Sequence, residues 1–393
     1  MNSHILTAER VVTPEWDDAA TVVVEDGVIV EILRGRRYAA AEDLGDCWLT
    51  PGCVDIHSDY LEREIRPRPS AEFPLDLAFH YMDQRAVACG LTTVMSAIAF
   101  TDKSEAGGRS FATAIEQARS LETLAENGLA RHFVHARLDP NTDGVLTWLD
   151  EIARVDALKL VVYNDSVPGQ RQFRYEDLVV KRAASQGITE DAARAMLDAQ
   201  IAERSRVNHR EAISEKLVGR SILGSHDDTT AAHVDEAHAF GATLSEMPTT
   251  MEAARRARQL DLWICMGAPN LVRGGSHCGN LACADAMAED LVDMLCSDYH
   301  FPSLHGAVVR MLKEGVAPSR CFELVALNPA RLLGLGDELG SIEVGKRADL
   351  VAFRAAEGFT RVQRVWVDGA ERFRAAAVPA TPAAAAAAAR RVA

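Results

Sequence analysis

Residue types that could do chemistry gather first in Pro51-Gly52-Cys53-Val54-Asp55-Ile56-His57-Ser58-Asp59. A Pro-Gly turn leads into a short apolar run, and two potential metal ligands follow one residue apart. Side chains alternate faces along a β-strand, so His57 and Asp59 would share a face that excludes Ser58. At the C-terminal end of a barrel strand, that face looks into an active site. A neutral imidazole beside a carboxylate suits a borderline divalent ion such as Zn²⁺ or Mn²⁺. The bland alternative is a solvated His and Asp in an ordinary loop, and the rest of the chain has to decide between the two.

The elements that would position these groups can be read from the middle of the chain. Eight short apolar runs fall at 54–57, 92–98, 133–137, 158–163, 221–226, 242–246, 262–266 and 294–297. Amphipathic stretches such as 111–127, 189–217, 231–239 and 251–259 lie between them. Eight βα units across 52–340 predict an α/β fold, a (β/α)8 TIM barrel, with a doubly wound sheet as the competitor. The barrel is favoured because polar and ionisable residues stand at the C-terminal ends of most runs. Asn164-Asp165 follow run four, Ser225-His226-Asp227-Asp228 close run five, and Glu246 ends run six. Gly267 to His277 follow run seven, and Ser297-Asp298-Tyr299 end run eight. A barrel brings these ends to one face. There His57, Asp59, Asp165, His226, Glu246 and Asp298 could surround a divalent ion, and Asp298 could also take a proton from an attacking water. Taken singly, Asp227 and Asp298 read equally well as helix caps and His226 as a satisfied core histidine.

Both ends of the chain have β texture. Val11-Val12, 21–24 and 28–30 are β-branched, with Glu25-Asp26-Gly27 as a turn. The stretch 340–351 reads as strand-turn-strand, and 362–374 reads as a hairpin about Asp368-Gly369. One small β-sandwich domain is therefore expected from 1–51 plus 341–374, with a flexible Ala-rich tail at 375–393. The net charge of −15 argues against nucleic-acid binding, no run is long enough to span a membrane, and eight scattered cysteines without a CxxC pair suit reduced thiols in a cytoplasm. A homodimer is an assembly open to such a chain.

The opening P-G-x-x-D-x-H-x-D, the H-D-D after run five, the S-D after run eight and the split β-domain together resemble the amidohydrolase superfamily. Within it, P-G-Q-R-Q-F at 168–173, S-H-D-D at 225–228, M-P-T-T at 247–250, M-G-A-P-N-x-V-R-G-G-S-H at 266–277 and C-S-D-Y at 296–299 resemble the PhnM-type phosphonate-metabolism branch. The resemblance runs from about residue 5 to 374. It implies metal-dependent hydrolysis of α-D-ribose 1-methylphosphonate 5-triphosphate to the 5-phosphate and pyrophosphate. It also implies zinc, with manganese or iron as alternatives, in one or two ions, and it matches His57 and Asp59 to strand one, His226 to strand five and Asp298 to strand eight. The chain departs from the superfamily in three places. H-x-H is H-x-D here, Arg137 ends run three where this branch would carry an acidic residue, and Glu246 stands where a second His is usual. Lys159 lies at the wrong end of run four to bridge two ions, which leaves Asp165 as the acidic candidate.

A phosphorylated small molecule must be held locally against this net charge, and Arg suits bidentate contacts to phosphate. Arg66 and Arg68 lie on a segment stiffened by two prolines, Arg171 and Arg174 follow run four, and Arg273 follows run seven beside Asn270. Gly274-Gly275 would let backbone N–H groups approach phosphate oxygens, and His277 could bind a phosphate or protonate the leaving group. Surface arginines in long loops are the plain alternative. Two further functions compete: a C–N hydrolase or deaminase acting on a small cyclic amide or amidine, which would need far fewer positive groups, and a dead barrel kept as a subunit, which should have lost its ligands.

Overall fold

The computed structural model of the chain describes residues 3–36, 38–68, 71–102, 109–165, 167–171, 174–356 and 358–376. Most of the expected tail at 375–393 lies outside them.

Five strands open the chain: β1 (His4–Val12), β2 (Asp17–Glu25), β3 (Val28–Arg34), β4 (Glu42–Asp43) and β5 (Trp48–Pro51). Three close it: β14 (Leu350–Ala356), β15 (Phe359–Val367) and β16 (Ala370–Arg374). They form one mostly antiparallel sheet in the order β16-β15-β14-β5-β1-β2-β3, with β4 against β1. The β5–β14 pair joins the two chain ends directly, with Leu350 opposite Pro51. Two-residue turns explain the hairpins. Asp26 and Gly27 link β2 to β3, and Asp368 and Gly369 link β15 to β16. All four residues have positive φ, as a type I′ turn requires. The stretch 340–349 contains no strand, contrary to the strand-turn-strand reading. Its backbone instead bonds singly to the β3 region, with Ile29 N–H donating to Lys346 O and Gly345 N–H to Ile29 O.

The middle of the chain is a ring of eight parallel strands: β6 (Cys53–Ser58), β7 (Leu91–Phe100), β8 (Arg131–Leu138), β9 (Leu158–Tyr163), β10 (Ile222–His226), β11 (Leu244–Glu246), β12 (Trp263–Gly267) and β13 (Met294–Cys296). Each coincides with one of the eight apolar runs to within a few residues. A parallel bridge between Ser58 and Asp298 brings the last strand back to the first. Asp59 N–H donates to Asp298 O at 2.8 Å and Asp298 N–H to His57 O at 2.9 Å, so backbone bonds close the barrel exactly where the candidate ligands stand. The period of two decides what each residue touches. Val161, Ile264 and Leu295 pack with the surrounding helices, whereas their neighbours Leu160, Val162, Cys265, Met294 and Cys296 pack with one another and with Leu244. Glu246 continues the face of Leu244 and so points to the mouth of the barrel.

The helices follow the same logic. Helices Ala231–Ala239 and Met251–Gln259 are capped by the side chains of Thr230 and Thr250, whose hydroxyls accept the N–H of His233 and Ala253. The stretch 189–217 is two helices, Glu190–Arg204 and Arg210–Leu217, rather than one. His209 N–H is drawn away to Pro140 O, which breaks the helical ladder between them. Among the described residues no helix is long and apolar enough to cross a membrane.

Candidate metal centre

Strand β6 delivers His57 at its C-terminal end, 1% exposed, and strand pairing delivers the rest. β10 ends at His226 and β11 at Glu246, paired side by side. Glu246 Oε2 lies 2.9 Å from His57 Nδ1, 2.8 Å from His226 Nδ1 and 3.7 Å from His135 Nε2. A fully buried carboxylate is thus ringed by three imidazoles. Burial alone would raise its pKa, but the positive charge that His57 can carry, with the hydrogen bond from His226 beside it, holds it well below the usual carboxylate range. Burial would likewise lower His57, yet Glu246 and then Asp59 push it well above the ordinary histidine value. His135 has no such net support and is driven down to about 3 by burial, so it is neutral.

The ligand atoms of His57, His226 and Glu246 lie within 4.8 Å of one another, and so do those of His57, Asp59 and Asp298. The donor set fits a divalent ion on two grounds. Imidazole nitrogen and carboxylate oxygen sit about 2.0–2.2 Å from zinc, which places ligand atoms about 3.3 Å apart. The buried polar atoms are also poorly satisfied by protein. His57 Nδ1 has no hydrogen bond of proper geometry despite its 2.9 Å contact, and Glu246 Oε1 and His135 Nε2 have no partner among the described residues. Such groups are costly in a dry interior unless something else satisfies them.

Three strands end in residues forced into the left-handed region. Asp227 after β10, Met247 after β11 and Asp298 after β13 have φ of 59°, 54° and 55°. Strained turns of this kind concentrate at functional sites. Asp298 lies at the closing bridge, its carboxyl raised by burial against the pull of His57. Beneath it Asp55, buried and raised to about 7 by desolvation, accepts hydrogen bonds from Ser297 N–H at 2.9 Å and Ser297 Oγ–H at 2.5 Å. That contact fixes strand eight against strand one.

The remaining expected site residues are spread more widely. Asp165 does not join the cluster. Arg210 Nη2 donates to it at 3.0 Å and Arg171 stands 3.9 Å away, so its carboxylate is neutralised within the protein. Arg171 is itself buried, donating to His226 O at 3.0 Å and pairing with Asp228 at 2.5 Å. It braces the turn that carries His226 and does not face solvent. Asn270 is also occupied: its amide donates to Leu281 O at 2.8 Å and its oxygen accepts from Cys283 N–H at 3.0 Å, closing the loop between them. Arg66 pairs with Glu72 at 3.1 Å. Arg68, Arg174 and Arg273 are exposed and have no ion-pair partner among the described residues. Arg174 lies against Gly279, and His277 meets the Tyr299 ring edge-on at 6.1 Å. Asp59 is held by Arg137, 3.1 Å away.

Sequence reasoning passed over His135 and Asp55. Both carried a signal. His135-x-Arg137 repeats the one-residue spacing of His57-x-Asp59 at the end of a run, and Asp55 precedes His57 by two on the same face.

Comparison with known proteins agrees with this architecture. The Amidohydrolase family model matches residues 276–371. The chain is 35% identical over 367 residues to the alpha-D-ribose 1-methylphosphonate 5-triphosphate diphosphatase of Escherichia coli K12, covering 90% of this chain and 96% of that protein. Among solved structures, dihydropyrimidinase of Brevibacillus agri superposes with a TM-score of 0.62 at 15% identity, covering 95% of each chain. N-acetyl-D-glucosamine-6-phosphate deacetylase of Mycobacterium smegmatis superposes with a TM-score of 0.59 at 16% identity, covering 94% of this chain and 99% of that one. At such identities the superpositions speak for the fold, a barrel with an attached β-sheet domain. The alignment with the diphosphatase spans both domains, and the chain belongs to that enzyme's family within the amidohydrolases.

Proposed function

We propose that this protein is a metal-dependent diphosphatase that hydrolyses α-D-ribose 1-methylphosphonate 5-triphosphate to the 5-phosphate and pyrophosphate. The observation that carries the reading is the near-full-length similarity to the diphosphatase of that name, which includes the strand ends that form the cluster. In this reading His57, His226 and Glu246 hold the ion, with Asp59 and Asp298 at its open edge. Two imidazoles and a carboxylate suit zinc and tolerate manganese. When bound, the ion would supply Lewis acidity toward a phosphoryl oxygen and lower the pKa of water.

The chain's own groups do the rest. Asp298, whose carboxyl is held above the usual range, accepts the proton of the attacking water at a carboxylate oxygen. Asp55 and Ser297 keep it in register with His57. Arg68, Arg174 and Arg273, exposed and without an ion-pair partner among the described residues, contact the charged phosphates, and His277 on the loop beyond β12 is available to the leaving pyrophosphate. Glu246 anchors His57 and His226 together, so the ligand set is rigid before substrate arrives.

One observation favours the second reading, a C–N hydrolase or deaminase acting on a cyclic amide. Arg66 and Arg171 are already paired with carboxylates, which leaves fewer positive groups for a polyphosphate. The deciding experiment is to follow pyrophosphate release from the ribose triphosphate beside a panel of cyclic amides. Release of pyrophosphate with no amide turnover supports the diphosphatase, and the reverse result replaces it.

A further inference from the structure

The two sets of ligand atoms at the barrel mouth overlap in one residue, His57. Its ring nitrogens look in different directions, Nδ1 to Glu246 at 2.9 Å and Nε2 to Asp59 at 3.5 Å. A neutral imidazole has one nitrogen with a free lone pair, and only that nitrogen can ligate. The two sets therefore compete for a single donor. The second set also already contains a cation. Arg137, on β8 and 11% exposed at its side chain, places Nη2 3.1 Å from Asp59 Oδ1 and 3.3 Å from Glu62 Oε2. The same nitrogen donates to Ala97 O at 3.4 Å, so backbone as well as carboxylates hold it. A guanidinium keeps its charge at every pH the protein survives. Glu246, by contrast, makes ion-pair contacts only with histidines among the described residues.

A metal ion on Asp59 would have to settle beside this fixed positive charge. It would have Asp59 and Asp298 as ligands but no free nitrogen of His57. Two-metal sites need ions about 3.5–4 Å apart with shared donors, and here the place for the second is taken. We propose that the protein holds one divalent ion, on His57, His226 and Glu246, and that the Arg137 guanidinium is the site's second cation, built permanently into β8. Asp59 then positions Arg137 and is not a ligand. The inference rests on the hydrolase reading of this site but not on its substrate.

The test is to strip the protein with a chelator and titrate it with Mn²⁺ alone, reading bound metal per chain and the electron paramagnetic resonance spectrum. The wild-type protein is expected to saturate at one Mn²⁺ with the spectrum of an isolated ion. Arg137→Glu, which removes the cation and adds a carboxylate, is expected to take up a second ion and show an exchange-coupled pair. Two ions or a coupled pair in the wild type would overturn the proposal, and so would a folded Arg137→Glu that still saturates at one. If that variant does not fold, the wild-type stoichiometry decides alone. One ion with no pyrophosphate release leaves this inference standing and removes the diphosphatase. Pyrophosphate release with two ions does the opposite.

Discussion

The two ends of β8 place a histidine against a carboxylate, and the pairs differ in the state of the carboxylate. At the N-terminal end His132 Nε2 is 2.8 Å from Asp83, whose oxygens also accept Leu129 N–H at 2.7 Å and Ala130 N–H at 3.0 Å. At the C-terminal end His135 faces Glu246, which gathers three imidazoles about one oxygen and leaves the other without a partner among the described residues. Both carboxylates are buried. One is satisfied by backbone and side chain, as a group serving stability should be. The other is arranged at the expense of its own hydrogen bonding. Conserving strain and unsatisfied polarity at the C-terminal face, while the opposite face is saturated, is how a barrel divides stability from chemistry.

Breaking the unsatisfied end should have the largest effect. His57→Ala or Glu246→Gln removes an ion ligand. Loss of a group that merely supports a ligand costs 10–100-fold in affinity, so loss of a ligand should exceed about a hundredfold. Chelator competition should show this, with turnover lost in parallel and the far-ultraviolet circular dichroism unchanged.

The arginines sharpen the same contrast between buried and open charge. Arg171→Ala leaves Asp228 and Asp165 buried with a partner missing, and it should lower unfolding stability by about 3–5 kcal/mol in urea denaturation. Arg273→Ala should leave the urea midpoint in place and lower kcat/KM for the triphosphate about tenfold, the value of one charge-assisted contact. If both variants behave alike, the division of these arginines into brace and clamp is wrong.

Proton linkage separates the ends again. His57 holds its proton well above the usual range because Glu246 and Asp59 outweigh burial, and an ion must displace that proton. Metal affinity should therefore rise with pH through neutrality, by up to about tenfold per unit for one proton. Calorimetry in buffers of different ionisation enthalpy should record the released proton, and a pH-independent affinity would contradict the assignment.

The smallest effect belongs to the saturated end. Burial would raise the Asp83 carboxyl, but His132 and the two backbone N–H groups bring it below the usual value. A depressed carboxyl contributes stability that is complete above the unfolded value of about 3.9 and is lost as pH falls through the folded value. Asp83→Asn should cost about 1–3 kcal/mol near neutral pH. The gap to the wild type should narrow below about pH 4, without any change in bound metal.

What the sequence disclosed follows the same physical line. All eight barrel strands were legible because each is a short apolar run, and the meeting of His57, His226, Glu246 and Asp298 at one end of the barrel was legible because they end those runs. His135 was hidden by attention to Arg137, two residues further along the same face. Asp165, Arg171 and Asn270 could not be judged from local pattern, because what engages them lies far away in the chain or across a loop. Arg210 reaches Asp165 from 45 residues downstream, and Asn270 is spent on Leu281 and Cys283. Exposed arginines and buried ones look the same in a sequence. Only the fold decides which of them has a carboxylate waiting.

Where a metal ion sits is the most direct test of the centre at the barrel mouth. Crystals grown with Zn²⁺ and measured at the zinc absorption edge would locate it by anomalous scattering. A single strong peak is expected about 2.0–2.2 Å from His57, His226 and Glu246. A peak at the cysteines or at Asp165, or none at saturating zinc, would contradict it.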